Sequence, residues 1–310
     1  MLIESSPTGL TVHTPAKVNL FLNVLGKRPD GYHDLETVML AVGLFDTLTF
    51  EILDRRDIEL SCDLSALSDS PTTDAPVLSS GDDNLVVKAA RLIQSEANVS
   101  AGARIGLLKR IPMQAGLGGG SSDAAATLVA LNRLWNAGLS TQRLHELAAR
   151  LGSDVNFFLD SPDLAICRGR GERIEARPLT QPMWLVLVKP AGGLSTRDVF
   201  QEWARTGTTS PLDCDRVIDA INDSDSSGLP HVLWNSLEAP ARQLSPEIQA
   251  TLGRLRACHR GGLLMSGSGT CCFAVCGSRE EAETLAGRLS GTGMVAVVEG
   301  GGLAGGLRSC

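Results

Sequence analysis

PMQAGLGGGSSDAAATLVALNRLW, residues 112–135, joins a glycine-rich loop directly to the start of a helix. From Gly116 through Leu117, Gly118 and Gly119 to Gly120, residues without a Cβ let the chain turn tightly and leave its N–H groups uncovered. Ser121, Ser122 and Asp123 come next, the side chains that a helix N-terminus prefers. Ala124, Leu128, Leu131 and Trp135 then recur at steps of four, three and four, which places them on one inward face. Free amides and the positive end of a helix dipole thus meet at one point, and such a point suits a phosphate. A tight turn followed by a capped helix explains the same residues without a ligand. The P-loop pattern GxxxxGK[ST] is absent, because no Lys-Ser or Lys-Thr follows the glycines, and no strand with a downstream ribose-binding acid marks a dinucleotide fold.

Four more stretches bear on the chemistry. From Lys17 to Val24 polar and apolar residues alternate, with Val18, Leu20, Leu22 and Val24 on one strand face and Lys17, Asn19 and Asn23 on the other. A solvated surface explains that polar face as well as a binding site does. Pro29-Asp30-Gly31 is turn chemistry, in which Pro presets φ and Gly accepts positive φ; Tyr32, the one tyrosine of the chain, and His33 follow at once. Gly152-Ser153-Asp154 follows the amphipathic helix Thr141–Leu151 and sets a carboxylate at the start of a short element, where capping is the plain explanation. Met265-Ser266-Gly267-Ser268-Gly269 is a small-residue turn before the alternating strand Cys272, Ala274, Cys276.

Strands are also expected at Val38–Val42, Thr47–Leu53, Arg104–Ile111 and Trp184–Val188. Helices are expected from Asn84 to Ile93, with Leu85, Ala89, Leu92 and Ile93 as the buried stripe, from Leu194 through Phe200, and over Trp234–Glu238, Pro246–Cys258 and Ser278–Leu289. Residues 63–83 and 206–227 read as polar surface connections, Cys167–Glu172 as a tight turn, and Gly300–Leu307 as a frayed tail. The basic end of the strand before the glycine loop, Lys109-Arg110, adds positive field there. A change of composition near residue 165 divides the chain into domains 1–165 and 166–310.

Composition narrows the function classes. A chain of 310 residues is long enough for two domains with cores of their own. With 43% hydrophobic and 20% charged residues, and apolar runs as short as Trp184–Val188, it reads as soluble and not as membrane-spanning. A net charge of −7 argues against sequence-independent nucleic-acid binding, which depends on Lys and Arg, but leaves room for a local basic pocket. The N-terminus MLIESSPTGL has no signal-peptide pattern, so a cytoplasmic enzyme is expected. Eight cysteines include no CxxC pair and read as core thiols; no residue is assigned as a metal ligand.

The stretch from Ile111 to Ala125 resembles the ATP-phosphate loop of the GHMP kinases, the superfamily of galactokinase, homoserine kinase and mevalonate kinase. Its doubled glycine between Gly118 and Ser121 is similar to one branch, the 4-diphosphocytidyl-2-C-methyl-D-erythritol kinases, as are Pro15-Ala-Lys17-Val-Asn19-Leu-Phe-Leu, Asp30-Gly31-Tyr32-His33 and Met265–Gly269. Position 156, usually Pro in that pattern, is Asn156 here. The resemblance implies an α+β, two-domain fold, with an N-terminal domain like the second domain of ribosomal protein S5 and a ferredoxin-like C-terminal domain. It implies an ATP-dependent small-molecule kinase, using ATP with Mg²⁺, acting on the 2-hydroxyl of a cytidine diphosphate sugar alcohol as a monomer or homodimer. Lys17 and Asp154 are then the catalytic pair, with Asp154 taking the hydroxyl proton and Lys17 steadying the charge. Asn84, Pro112, the loop Gly116–Gly120, Ser121 and Ser122 face ATP; Asn19, Tyr32, His33, Thr196 and Phe200 face the alcohol substrate. Ser121 and Ser122 remain alternatives as a metal ligand. A kinase for mevalonate or homoserine, or a nonenzymatic ligand-binding protein of the same fold, is the competing reading.

Overall fold

The computed structural model describes residues 1–67, 78–223, 228–291 and 293–301. Its N-terminal part is built on one long hairpin. After β1 (Leu2–Ser6), strands β2 (Gly9–Lys27) and β3 (His33–Leu53) pair antiparallel from Gly9–Glu51 to Lys27–His33, and the Pro-Asp-Gly turn closes them as expected. The two strands expected at 38–42 and 47–53 are one continuous β3. β4 (Ile58–Asp63), α1 (Leu85–Glu96), β5 (Gly102–Leu108), α2 (Gly119–Leu134), α3 (Thr141–Leu151), α4 (Val155–Asp160), β6 (Leu164–Gly169) and β7 (Arg173–Arg177) follow. β5 pairs with the distal half of β3 and β6 with its proximal half, so β3 is the spine of this sheet. Since β6 and β7 belong to it, the N-terminal sheet runs through Arg177.

The polar face read into β2 is not a solvated surface, because Lys17, Asn19 and Asn23 are all buried. Nor is the face continuous. A register shift between Asn19 and Phe21 breaks the alternation, so Asn19 turns to the cavity described below while Asn23 exchanges hydrogen bonds with the backbone of Ser210. α1 starts where expected, with Asn84 Oδ1 accepting the Val86 N–H at 2.9 Å, but its buried face is Val86, Ala89, Ala90 and Ile93, rotated from the expected stripe so that Leu85 lines the cavity. α2 is capped differently from expectation. Gly118, in the left-handed region at φ 73°, is its N-cap, and Ser121, Ser122 and Asp123 lie inside the first turns. The helices α1 to α4 close over the sheet with one apolar core, in which residues such as Phe50, Ile93, Leu128 and Phe157 are fully buried. Each such side chain contributes roughly 1.5–3 kcal/mol by leaving water.

The C-terminal part runs β8 (Met183–Lys189), α5 (Thr196–Thr206), α6 (Cys214–Asn222), α7 (Leu229–Val232), β9 (Trp234–Asn235), α8 (Glu238–Leu244), α9 (Pro246–Cys258), β10 (Leu263–Met265), β11 (Cys272–Cys276), α10 (Arg279–Arg288) and β12 (Met294–Gly300). The strands pair antiparallel in the order β12-β8-β11-β10, the arrangement of a ferredoxin-like βαββαβ unit. β12 also touches β3, which joins the two parts edge to edge. The chain is thus α+β in two units, as the motifs imply.

Two connections differ from expectation. Within 206–227 the helix α6 buries Cys214, Val217, Ile218 and Ile221, spaced three, one and three apart on one face. Trp234–Asn235 is a short parallel bridge to β2, since the Asn235 amide is held by the carbonyls of Met265 and Gly267, and helix α8 starts only afterwards. Of the expected irregular segment 63–83, residues 68–77 lie outside the described residues, as does the tail beyond Gly301. Among the described residues no helix is long and apolar enough to cross a membrane. The described cysteines are free thiols, five of them buried, and burial pushes Cys271 and Cys276 up to about 12; Cys310 lies outside the described residues.

Candidate active site

The glycine loop is closed from the other half of the chain. Ser266 Oγ donates to the Gly116 carbonyl at 2.9 Å, and the N–H groups of Thr270 and Cys271 donate to the carbonyls of Gln114 and Ala115. Gly116 sits at φ 73°, and a Cβ there would lie 2.0 Å from the Ser266 carbonyl oxygen. Gly116→Ala therefore meets both a left-handed backbone and a backbone clash. The conformation alone costs about 1–2 kcal/mol. Thermal unfolding should show a lowered Tm together with reduced turnover, and an unchanged Tm would contradict this packing.

Lys17 is held to the same loop by its own backbone, whose N–H donates to the Leu117 carbonyl at 3.0 Å. Its ammonium, buried at 3% exposure, donates to Asn19 Oδ1 at 2.6 Å and the Gly116 carbonyl at 2.9 Å, and stands 3.4 Å from Asp154 Oδ2. Asn19 is oriented in turn, its amide donating to Thr37 Oγ1 at 2.8 Å. Asp154 occupies the N-cap position of α4 but makes no capping hydrogen bond. The plain reading of Asp154 as a cap therefore fails. Its carboxylate faces Lys17 across the cavity wall.

The two serines differ. Ser122 Oγ is buried and bonded to the Pro15 carbonyl at 2.6 Å and to Thr14, and its N–H is taken by the Gly118 carbonyl. Ser122 is therefore turned away from the cavity, contrary to its expected place against ATP, whereas Ser121 lies on the cavity wall with Gly116, Leu117, Gly118, Gly119 and Gly120. Pro112 and Asn84 line it as well. Lys109, expected to add field there, is instead neutralised: its ammonium is buried between Asp46 and Asp123, 2.9 Å from the latter. Asp46 also accepts the N–H groups of Arg110 and Ile111 at 2.6 and 2.9 Å. Two carboxylates around one ammonium cannot both be fully compensated. Burial pushes Asp123 up to about 7, with Asp46 adding to the rise and Lys109 opposing it. Asp123 Oδ1 is the atom left buried without a hydrogen-bond partner.

His33 stacks on Phe200 with centroids 4.7 Å apart and meets Trp203 edge-on at 5.6 Å. Burial, with Lys27 adding, pulls the His33 pKa below its ordinary value, which favours the neutral ring. His33 Nε2 and Trp203 Nε1 are buried polar atoms without partners. Tyr32 is 52% exposed beneath the Arg170 guanidinium, 4.7 Å from its ring centroid, and Thr196 Oγ1 meets Ser268 Oγ at 2.9 Å.

Lys17, Asn19, Asp154, the loop Gly116–Ser121, His33, Thr196 and Phe200 all line one cavity of about 1840 Å³. That exceeds the roughly 300–1,000 Å³ typical of a pocket for one small ligand, so two substrates can lie in it together. Lys17, Lys27, Lys109, Arg170, Lys189 and Arg197 line it against Asp83, Asp123 and Asp154, an excess of cations on a chain of net charge −7. Arg170, Lys27 and Trp203 were not singled out from the sequence. Arg170 lies within the turn that was noted, but neither spacing nor composition tells that it folds back over Tyr32.

The chain matches the family profile of the GHMP kinases N terminal domain over residues 84–161 and that of the GHMP kinases C terminal over 215–293. It is 41% identical over 279 residues to the 4-diphosphocytidyl-2-C-methyl-D-erythritol kinase of Pelotomaculum thermopropionicum, covering 90% of this chain and 93% of that protein. A crystal structure of 4-(cytidine 5'-diphospho)-2C-methyl-D-erythritol kinase superposes with a TM-score of 0.77 at 35% identity, over 94% of this chain and 100% of the other. The mevalonate kinase of L. major shares the fold alone, at 17% identity with a TM-score of 0.69 over 96% of each chain. With the loop, the turn that closes it and the ammonium–carboxylate pair in one cavity, the chain belongs to the GHMP kinases and, among them, to the 4-diphosphocytidyl-2-C-methyl-D-erythritol kinases.

Proposed function

We propose that Asp154 and Lys17 carry the proton and charge transfers of the kinase reaction in this chain. The chain is an ATP-dependent small-molecule kinase. It phosphorylates the 2-hydroxyl of 4-diphosphocytidyl-2-C-methyl-D-erythritol, giving the 2-phosphate and ADP, in non-mevalonate isoprenoid precursor biosynthesis. The observation that carries the residue assignment is the uncapped Asp154 carboxylate 3.4 Å from a buried ammonium, at the rim of a glycine cradle.

Phosphoryl transfer asks for in-line placement and charge neutralisation more than for covalent help. The first N–H groups of a helix have no intrahelical partner, so the start of α2 and the glycine loop offer donors to the ATP phosphates. Ser121 on the cavity wall, rather than the inward Ser122, would offer a hydroxyl to a Mg²⁺ bound with ATP, an ion that would neutralise phosphate charge. Asp154 accepts the proton of the attacking hydroxyl, and Lys17, fixed by Asn19 and the Gly116 carbonyl, steadies the charge that develops on that oxygen. Free thiols throughout the described residues agree with a reducing, cytoplasmic setting.

The unpartnered His33 Nε2 beside Phe200 supports placing the cytosine against these two rings, with Tyr32 at the entrance. Removing a stacking contact and a hydrogen bond costs about 1–3 kcal/mol together. His33→Ala should therefore raise KM for the cytidine substrate by roughly 5- to 150-fold and leave KM for ATP near wild type. A change in the ATP constant alone would move His33 to the wrong substrate. The reaction itself is tested by ATP consumption with a panel of acceptors: turnover with 4-diphosphocytidyl-2-C-methyl-D-erythritol is expected, and turnover with only mevalonate or homoserine would overturn the acceptor.

A further inference from the structure

We infer that His259, Cys276 and Glu281 form a binding site for a thiophilic divalent cation, Zn²⁺ or its analogue Co²⁺, on the C-terminal unit away from the kinase cavity. The three come from separate elements: His259 follows α9, Cys276 ends β11, and Glu281 lies in the first turn of α10. Their donor atoms, a ring nitrogen, a sulfur and a carboxylate oxygen, lie within 4.8 Å of one another. A tetrahedral ion with bonds of about 2.0–2.3 Å sets its ligand atoms roughly 3.3–3.8 Å apart. His259 Nδ1 and Glu281 Oε1 already stand at 3.4 Å. The Glu281 side chain is 48% exposed, while His259 and Cys276 are buried.

The surroundings orient the ligands as a metal site does. His259 Nε2 lies 2.8 Å from the Val275 carbonyl oxygen, which can only accept, so this nitrogen carries the ring proton. In the neutral ring, Nδ1 then presents a lone pair to the Glu281 carboxylate. Two acceptors facing each other at 3.4 Å need either a proton or a metal cation between them. The ring reaches its carbonyl because residue 261 is glycine, where a Cβ would lie 2.4 Å from Nε2. Glu281 is fixed as well, its other oxygen accepting the Gly277 N–H at 2.7 Å. Nitrogen, sulfur and oxygen donors together suit zinc-like ions better than Mg²⁺ or Ca²⁺, which take oxygen. Three protein ligands leave a fourth position to water on the exposed side of Glu281.

Binding replaces the Cys276 S–H bond by a metal–sulfur bond and releases the proton to solvent, with no change of oxidation state. Affinity should therefore rise roughly tenfold per pH unit for the one proton released. The rival arrangement is an imidazolium–carboxylate ion pair beside an inert thiol. Co²⁺ titration of the chelator-stripped full chain distinguishes them. A stoichiometric thiolate-to-cobalt charge-transfer band, displaced by Zn²⁺, is expected in the wild type and in Cys258→Ser, and its loss in Cys276→Ser. Glu281→Gln, at an exposed position that leaves the fold intact, should weaken Co²⁺ by more than the roughly 10- to 100-fold that loss of an outer partner costs. No thiolate band at stoichiometric Co²⁺, a band that survives Cys276→Ser, or an unchanged affinity in Glu281→Gln would overturn the site.

Discussion

Asp154→Asn is expected to lower kcat by at least about 10², within the roughly 10²–10⁴ that a positioned general base supplies. The amide keeps the shape of the carboxylate but cannot take the proton of the acceptor hydroxyl. ATP affinity should be little changed, because the donors assigned to its phosphates belong to the loop and α2. Lys17→Ala should lower kcat to a similar degree, and it has a second consequence. Lys17 ties Asn19 and Gly116 together, so its loss also loosens the loop and should lower Tm, which Asp154→Asn should not. Steady-state kinetics and an ATP isotherm on each variant check both parts. Near-normal turnover of Asp154→Asn would remove the carboxylate from the reaction.

The second large effect is on stability and lies behind the loop. Asp46→Ala would leave the Lys109 ammonium with only Asp123 and strip the N–H groups of Arg110 and Ile111 of their acceptor. Removing one partner of a buried pair costs about 3–5 kcal/mol, which for a chain of this size lowers Tm on the order of 10 °C. The exposed pair Arg279–Glu283 is the contrast, since a surface pair is worth about 0–1 kcal/mol. Asp123 behaves differently from Asp46. Its folded pKa is raised to about 7, so the fold favours its protonated form; that advantage is complete below about pH 4 and is lost as pH rises towards 7. Asp123→Asn removes the ionisation, so the wild type should lose stability relative to it over that window. Equal pH dependence of the two would show that Asp123 is fully compensated.

The cradle was legible because its residues are contiguous. Glycines, the helix start and the family motif all lie within residues 111–125, and the hairpin turn at Pro29–Gly31 is local in the same way. What stayed hidden depends on long-range contact. Nothing in the sequence says that Ser122 turns inward to Pro15, or that Lys109 is cancelled by Asp46, a residue on a different strand. The bulge that separates Asn19 from Asn23 is invisible for a related reason: alternation assumes an unbroken register, and the shift is set by the β3 strand across from it. α6 was missed by a different error, since its apolar spacing is present in the sequence but polar flanks obscured it.

Single-turnover phosphoryl transfer in a double-mutant cycle of Lys17→Ala and Asp154→Asn tests the ammonium–carboxylate pair most directly, because it isolates the chemical step from binding and product release. Groups that act as a unit give grossly non-additive losses. The doubly substituted enzyme is therefore expected to be about as slow as the slower single variant, and losses that multiply would contradict a shared role for Lys17 and Asp154.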